Sequence, residues 1–350
     1  MDTKSELKLE EVINIGGDLG MGANKMWCHG WHVAGDKKNE VRFVQGGGLQ
    51  VVSQVASNGR GHFEGMLGLK AKRRPMEITS EFGSFYVGEG AHEHGRPVEN
   101  LDFERLTGAP EMRALLYASW AQFQKQYGKF DRPLSLMVGL PLQMMLGADA
   151  KQYQAGVKGW LKGTHQFTAD GEAMTVEVGQ VRQTSQPVGA LFDYVLDDDG
   201  RIIADRGSAM LDEVGVISVG FNTVELLVVK DQGAVERFTA GNTLGVRRLL
   251  ELMNRDGLFS LGELDEKVRA GRMRDEMKQA LPIWAREVNG EIERRWGQSF
   301  KRFVRVIIVG GGALLLKDAL TSQFGPKAYV PNLPVLSIAR GLDKLSRMKR

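Results

Sequence analysis

A single cysteine, Cys28, stands in the 350 residues, so no internal disulfide framework holds this chain together. Long apolar runs are also missing: none approaches the roughly 18 residues of a membrane-spanning helix. Residues 1–11 are polar and carry no charged-then-apolar leader, and the expectation is a soluble protein of the reducing cytoplasm. Neither sign of charge dominates. Forty-six Lys and Arg against 43 Asp and Glu leave a net charge of +3, too little for bulk charge to call for nucleic acid or an anionic membrane. Histidine is scarce as well, six in all; His92 and His94 stand closest together, and this pair reads as a solvated loop rather than a metal site. Apolar content, by contrast, is an ordinary 42%, and the length suffices for two domains or one large bilobal one with a proper core.

Glycine is plentiful, and its placement is informative. In residues 12–25 an apolar run leads into Asp18-Leu19-Gly20-Met21-Gly22. Glycine lets a backbone bend and come close to a phosphate, and an acid at the end of the strand can hold a hydrated magnesium ion, which needs oxygen ligands and keeps several waters. Taken alone, the same stretch reads equally well as a β-hairpin corner.

Residues 26–33 and 41–44 flank the polar segment 35–40, predicting two strands and a turn that extend the first strand into a meander. Residues 45–75, rich in Gly, Ser, Asn and basic side chains and lacking clear periodicity, read as a loop or mobile insertion. A strand is predicted over 82–87. Pro110 and Glu111 suit the first turn of a helix whose buried face is Met112, Leu115, Leu116, Ser119, Phe123 and Tyr127. The apolar run 134–142, closed by Gly139 and Pro141, reads as a fully buried strand. A hairpin is expected over 163–180, a helix start at Gln186-Pro187 and a turn over 197–200.

Residues 215–229 then restart the opening pattern: apolar strand, glycine turn with polar side chains, apolar strand. Two such turns on two domains, facing one cleft, could grip a polyphosphate from both sides. Helices are predicted over 242–256, burying Leu244, Leu249, Leu250 and Met253; after the capping box of Ser260 and Glu263; and over 274–300, with Met277, Leu281, Trp284, Val288, Ile292 and Trp296 on one stripe and Pro282 as a kink or start. The strand 303–309 runs into Gly310-Gly311-Gly312 and a helix over 314–320, whose N-terminus favours anionic or polar ligand groups. A dinucleotide fold would need G-x-G-x-x-G inside a βαβ unit with an acid about 20 residues further on, and no such unit follows here. A short helix closes the chain, with Leu336, Ala339, Leu342 and Leu345 on its apolar side and Arg340, Lys344, Arg347, Lys349 and Arg350 as basic residues.

Three glycine loops in this order resemble those of the actin-like ATPase superfamily, most closely the bacterial and archaeal plasmid-segregation actins of the ParM/Alp type. Residues 18–25 resemble the first phosphate loop, 215–225 the second and 306–313 the adenosine loop, with supporting similarity over 138–142, 186–191 and 338–342. The resemblance implies an α/β, actin/ribonuclease H-like fold of two related domains, each a mixed sheet flanked by helices, around a nucleotide cleft. Residues 1–190 with a C-terminal return over 331–350 would form the first domain, and 191–330 the second. It implies ATP (or GTP) and Mg²⁺ as cofactors. Asp18 would stand by the metal and its waters. Gly20, Met21, Gly22, Asn24 and Lys25 would meet the β- and γ-phosphates, and Ser218, Gly220, Phe221, Asn222 and Thr223 would hold them from the other domain. Gly241 and Asn242 would approach the ribose, Gly310, Gly311 and Gly312 would pass under the adenosine, and Gln186 would stand beside the attacking water, where positioning and charge carry phosphoryl transfer. Two positions depart from the pattern: Ser218 replaces the usual aspartate of the second loop, and Glu225 stands where a shorter Asp is commoner.

The implied function is a filament-forming ATPase that self-associates head to tail under nucleotide control, in plasmid or DNA segregation or another cytoskeletal task, with an adaptor protein linking it to DNA or other cargo. A non-hydrolysing nucleotide-binding scaffold is the alternative that Ser218 favours, since a hydroxyl brings no negative charge to magnesium. A small-molecule kinase of the same superfold is a third, and the first domain lacks an evident Asp-centred sugar motif. The closing helix would pack its apolar side on the first domain with its charges solvated, those charges being too sparse for a strong nucleic-acid or membrane footprint.

Overall fold

A computed structural model describes residues 11–34, 41–58 and 74–348. The expected turn at 35–40 lies outside the described residues. In the first half, β1 (Ile13–Leu19), β2 (Ala23–Trp27), β3 (Gly30–Ala34), β4 (Val41–Gln45), β5 (Gly48–Val52), β6 (Val55–Ser57), β7 (Met76–Ser80), β8 (Gly83–Val87) and β9 (Arg96–Pro97) precede helix α1 (Pro110–Tyr127). Then come β10 (Leu134–Leu140), α2 (Leu142–Met145), α3 (Ala150–Leu161), β11 (Gly163–Ala169), β12 (Glu172–Ser185) and α4 (Gln186–Val195). The second half runs β13 (Val214–Val219), β14 (Val224–Lys230), β15 (Gly233–Ala234), β16 (Ala240–Asn242), α5 (Val246–Met253), α6 (Leu261–Arg269), α7 (Arg274–Trp296), β17 (Arg305–Val309), α8 (Gly311–Leu315), α9 (Lys317–Phe324), β18 (Ala328–Tyr329) and α10 (Ser337–Arg347).

Apart from β3 and β4, these strands form two mixed sheets. The larger has the order β5-β2-β1-β10-β12-β11-β7-β8-β6-β9, and the smaller β15-β14-β13-β17-β18, with β16 also on β14. The repeat seen in the sequence is a repeat of topology: β1 runs parallel to β10 and turns back through a glycine loop into antiparallel β2, just as β13 runs parallel to β17 and turns back into β14. Parallel strands covered on both faces need continuous apolar runs, and every residue of β10 and of β13 is buried.

Several expectations are corrected. Residues 48–52 and 55–57 are strands rather than loop, because Gly46, Gly47 and Gly48 mask the alternation of Leu49 and Val51, both buried, with half-exposed Gly48, Gln50 and Val52. Residues 59–73 lie outside the described residues. The strand expected over 26–33 breaks at Cys28 and His29, and β3 leaves the meander to form a separate hairpin with β4. Asn242 ends a strand instead of starting a helix, and α7 passes through Pro282 without ending.

The closing helix packs against β1, β10 and α4 of the first half. Gly16 of β1 sits beneath it, where a Cβ would run into the Ala339 carbonyl and the Asp343 amide. It crosses α4 at Gly341 and Gly189, backbone to backbone, so the separately noted segments 186–191 and 338–342 are packing partners. Its charges are not all solvated. Arg340 and Lys344 reach the buried Asp193 of α4 at 2.6 and 3.2 Å, and Ser337 Oγ donates to the same carboxylate at 2.6 Å. A carboxylate buried between two helices this close requires such partners. No helix among the described residues is long and apolar enough to cross a membrane.

Candidate functional site

Asp18, only 2% exposed, ends the apolar stretch of β1. Register places Lys25 directly opposite on β2, and Lys25 Nζ lies 2.9 Å from Asp18 Oδ2. The other carboxylate oxygen accepts a 2.7 Å hydrogen bond from Gln186 Nε2, at the first residue of α4. Gly139 of β10 makes room for that side chain: a Cβ there would stand 3.3 Å from Gln186 Cγ.

The first loop, Gly20 to Gly22, turns tightly, with the Gly20 N–H donating to the Asp18 carbonyl at 2.9 Å. A Cβ at Gly20 would come within 2.6 Å of the Ala23 carbonyl and 2.9 Å of Lys25 Nζ, so glycine keeps the lysine in place. In the second loop, Gly220 N–H donates to the Thr223 carbonyl at 2.8 Å. The carbonyls of Gly220, Phe221 and Asn222 accept the N–H groups of Val246, Arg247 and Gly245 at the start of α5. Those bonds turn the carbonyl side of the loop toward α5. Among the described residues, the N–H groups of Met21, Gly22, Phe221, Asn222 and Thr223 have no hydrogen-bond acceptor, which leaves five donors on two loops that meet where Phe221 packs on Gly22. Backbone donors grouped in this way form an anion-binding surface.

Gly310 ends β17 with φ 97°, and its N–H donates to the Pro334 carbonyl at 2.9 Å. That conformation, and the Val219 carbonyl against its Cα, exclude other residues at low cost. A side chain at Gly311 would meet open space. Gly312 has a packing role beneath Val219, Trp284 and Val246.

All three loops open onto one cavity of about 340 Å³. Asp18, Gly20, Met21, Gly22, Lys25, Gln186, Ser218, Gly220, Phe221, Asn222, Thr223, Gly310 and Gly311 line it together. Leu314, Leu315, Val335 and Ile338, none of them expected as site residues, give it an apolar end beside the third loop. Pro141 comes from the segment 138–142, and Asp265 and Arg269 were unforeseen, lying far from any glycine loop in sequence. Four expected residues do not line the cavity. Asn24 is buried and donates to Ser119 Oγ at 2.9 Å, because successive strand residues alternate faces and Lys25 takes the side toward Asp18. Gly241 and Asn242 pair with β14, with Asn242 Nδ2 3.3 Å from Glu291 Oε2, and Gly312 is covered.

One further acid borders the site. Glu225, fully buried on β14, accepts the Leu142 N–H at 2.6 Å through Oε1, while its Oε2 has no partner. Burial pushes its carboxyl up to about 8; the Leu142 bond opposes this and the Asp18 charge adds to it. No cluster of three or more His, Cys, Asp or Glu among the described residues makes a ready-made metal cage. Magnesium does not need one, since it keeps waters and takes one or two carboxylates together with phosphate oxygens. Asp18 and the unpartnered oxygen of Glu225 fit that donor chemistry.

Residues 50–189 match the family model for the N-terminal domain of actin-like proteins, and residues 216–322 that for the C-terminal domain of archaeal MreB-like actin homologues. No curated protein matches the chain. Among solved structures, a 15-stranded ParM filament from Clostridium botulinum is similar over 97% of this chain and 99% of its own, with a TM-score of 0.71 at 18% identity. An apo ParM protein gives 0.69 at 16% identity, covering 96% and 97%. An archaeal actin homologue in complex with ADP gives 0.67 at 17% identity, covering 96% and 98%. At such identities the likeness is one of fold, mixed sheets flanked by helices in the actin-like arrangement.

Proposed function

Because the chain belongs to the actin-like family, we propose that it binds ATP (or GTP) with Mg²⁺ in the cleft, and that the bound nucleotide controls its assembly into filaments. The convergence of three glycine loops, Lys25 and the Asp18–Gln186 pair on one cavity carries this reading. The N–H groups of the first two loops and Lys25 suit the phosphates, and the apolar end beside Gly310 and Gly311 suits a base. The two halves, 1–190 with 331–350 and 191–330, act as the two domains that the nucleotide draws together.

Hydrolysis follows from positioning. Gln186, fixed through its amide nitrogen to Asp18, keeps its carbonyl oxygen for orienting a water, while Asp18 holds waters of the metal. Mg²⁺, when bound, neutralises charge developing on the phosphate oxygens. Turnover is slow, because Ser218 contributes no charge and Lys25 already offsets that of Asp18. Segregation of DNA or another cytoskeletal task in the cytoplasm, with an adaptor protein for cargo, is the role that accords with this chemistry. A non-hydrolysing scaffold is the second reading, favoured by the same Ser218.

Titration with a fluorescent ATP analogue tests the binding. Lys25→Ala weakens it by about tenfold or more, the loss of a charged hydrogen bond to phosphate. Equal affinity in the variant and the parent would place the phosphates elsewhere.

A further inference from the structure

Ser218 and Glu225 face each other directly across β13 and β14, so their side chains leave the same face of the sheet. The serine stands at the wall of the cavity and the glutamate behind it, with 0% exposure. Glu225 is an acid inside the otherwise apolar run of β14, and one of its oxygens is buried without a donor. Such a group is costly to bury, and a positive charge within a few ångströms removes most of that cost. Lys25 does not serve: it is bound to Asp18. Nor does the one hydrogen bond from Leu142, which engages only Oε1.

We propose that Glu225 supplies the negative charge that Ser218 lacks, holding the divalent cation of the cleft through the Ser218 hydroxyl and the waters of the ion. Magnesium keeps most of its water, so an acid one layer back from the wall still acts on it. Glu225 is in this sense a positioning residue, and the assignment rests on the reading that the cleft takes a nucleotide with its metal.

The substitution Glu225→Gln isolates the charge, because the amide oxygen still accepts the Leu142 N–H. Mn²⁺ binding, followed by electron paramagnetic resonance in the presence of a non-hydrolysable ATP analogue, is weakened about 10- to 100-fold in this variant. Affinity for the analogue in EDTA stays unchanged, and adding Ser218→Asp to Glu225→Gln restores Mn²⁺ binding. Ser218→Ala, tested in a chain that keeps Glu225, weakens Mn²⁺ severalfold, which guards against misfolding of the first variant. Parent-like Mn²⁺ affinity in Glu225→Gln, or no restoration by Ser218→Asp, overturns the assignment. An unsubstituted protein that binds the analogue in neither condition overturns the nucleotide reading and this assignment with it.

Discussion

Two buried acids, Glu225 and Asp343, each weaken the fold as pH rises. Burial is the first cause in each case, and it holds their carboxyls at about 8 and about 6. An acid raised in the folded state stabilises the fold fully below its unfolded value, 4.5 for Glu and 3.8 for Asp, and that contribution is lost as pH climbs through the folded value. In EDTA, Glu225→Gln therefore gains melting temperature relative to the parent as pH rises from about 5 to about 8. Calorimetry across this range checks it, and parallel slopes for parent and variant contradict it. At the same scale, the sequence announced Asp18 and the glycines, because an apolar run closed by an acid and two glycines is a local pattern, whereas Gln186 entered only through the family resemblance. It misplaced Asn24, since only the pleat decides which of two adjacent residues faces the cleft. It left Glu225 without a role, although an acid within Val224-Glu225-Leu226-Leu227 was itself a signal.

Among the elements, the crossing of α4 and α10 fixes the position of Gln186. Gly189 and Gly341 let the backbones touch, and Asp193 is held by Arg340, Lys344 and Ser337, all largely buried. Asp193→Ala takes the carboxylate from Arg340 and leaves Lys344 only the exposed Asp198 and two backbone carbonyls, an expected loss of about 3 kcal/mol in urea unfolding. A loss below about 1 kcal/mol would show that the network is solvated in solution. Both helices were legible, α4 from its Gln186-Pro187 start and α10 from its apolar side, but their partnership was not: residues so far apart in the chain carry no local mark of contact. The strands at 48–57 escaped notice for a different reason, being short and preceded by three glycines, the composition of a loop.

For the whole molecule, the two sheets are joined at several levels of the cleft. Glu225 reaches Leu142 near its floor, Phe221 packs on Gly22 between the loops, and on the far side Glu99 and Gln54 bind the N–H and carbonyl of Gly262 at 2.8 and 3.1 Å. The last contact caps the first turn of α6, whose Asp265 and Arg269 line the cavity. Replacing both Gln54 and Glu99 with Ala releases this tie and speeds dissociation of a fluorescent ATP analogue severalfold in stopped flow, and an unchanged rate would mean that the tie does not limit exit. The bilobal repeat was visible in the sequence because both halves reuse one local motif, whereas these cross-cleft bonds join residues that only the assembled fold brings together.

The most direct test of the central claim is sedimentation of the purified protein, with electron microscopy of the pellet. With ATP and Mg²⁺ the protein is expected to pellet as filaments, and in EDTA without nucleotide to stay in the supernatant. Absence of pelleted polymer with ATP, GTP or a non-hydrolysable analogue would contradict nucleotide-controlled assembly.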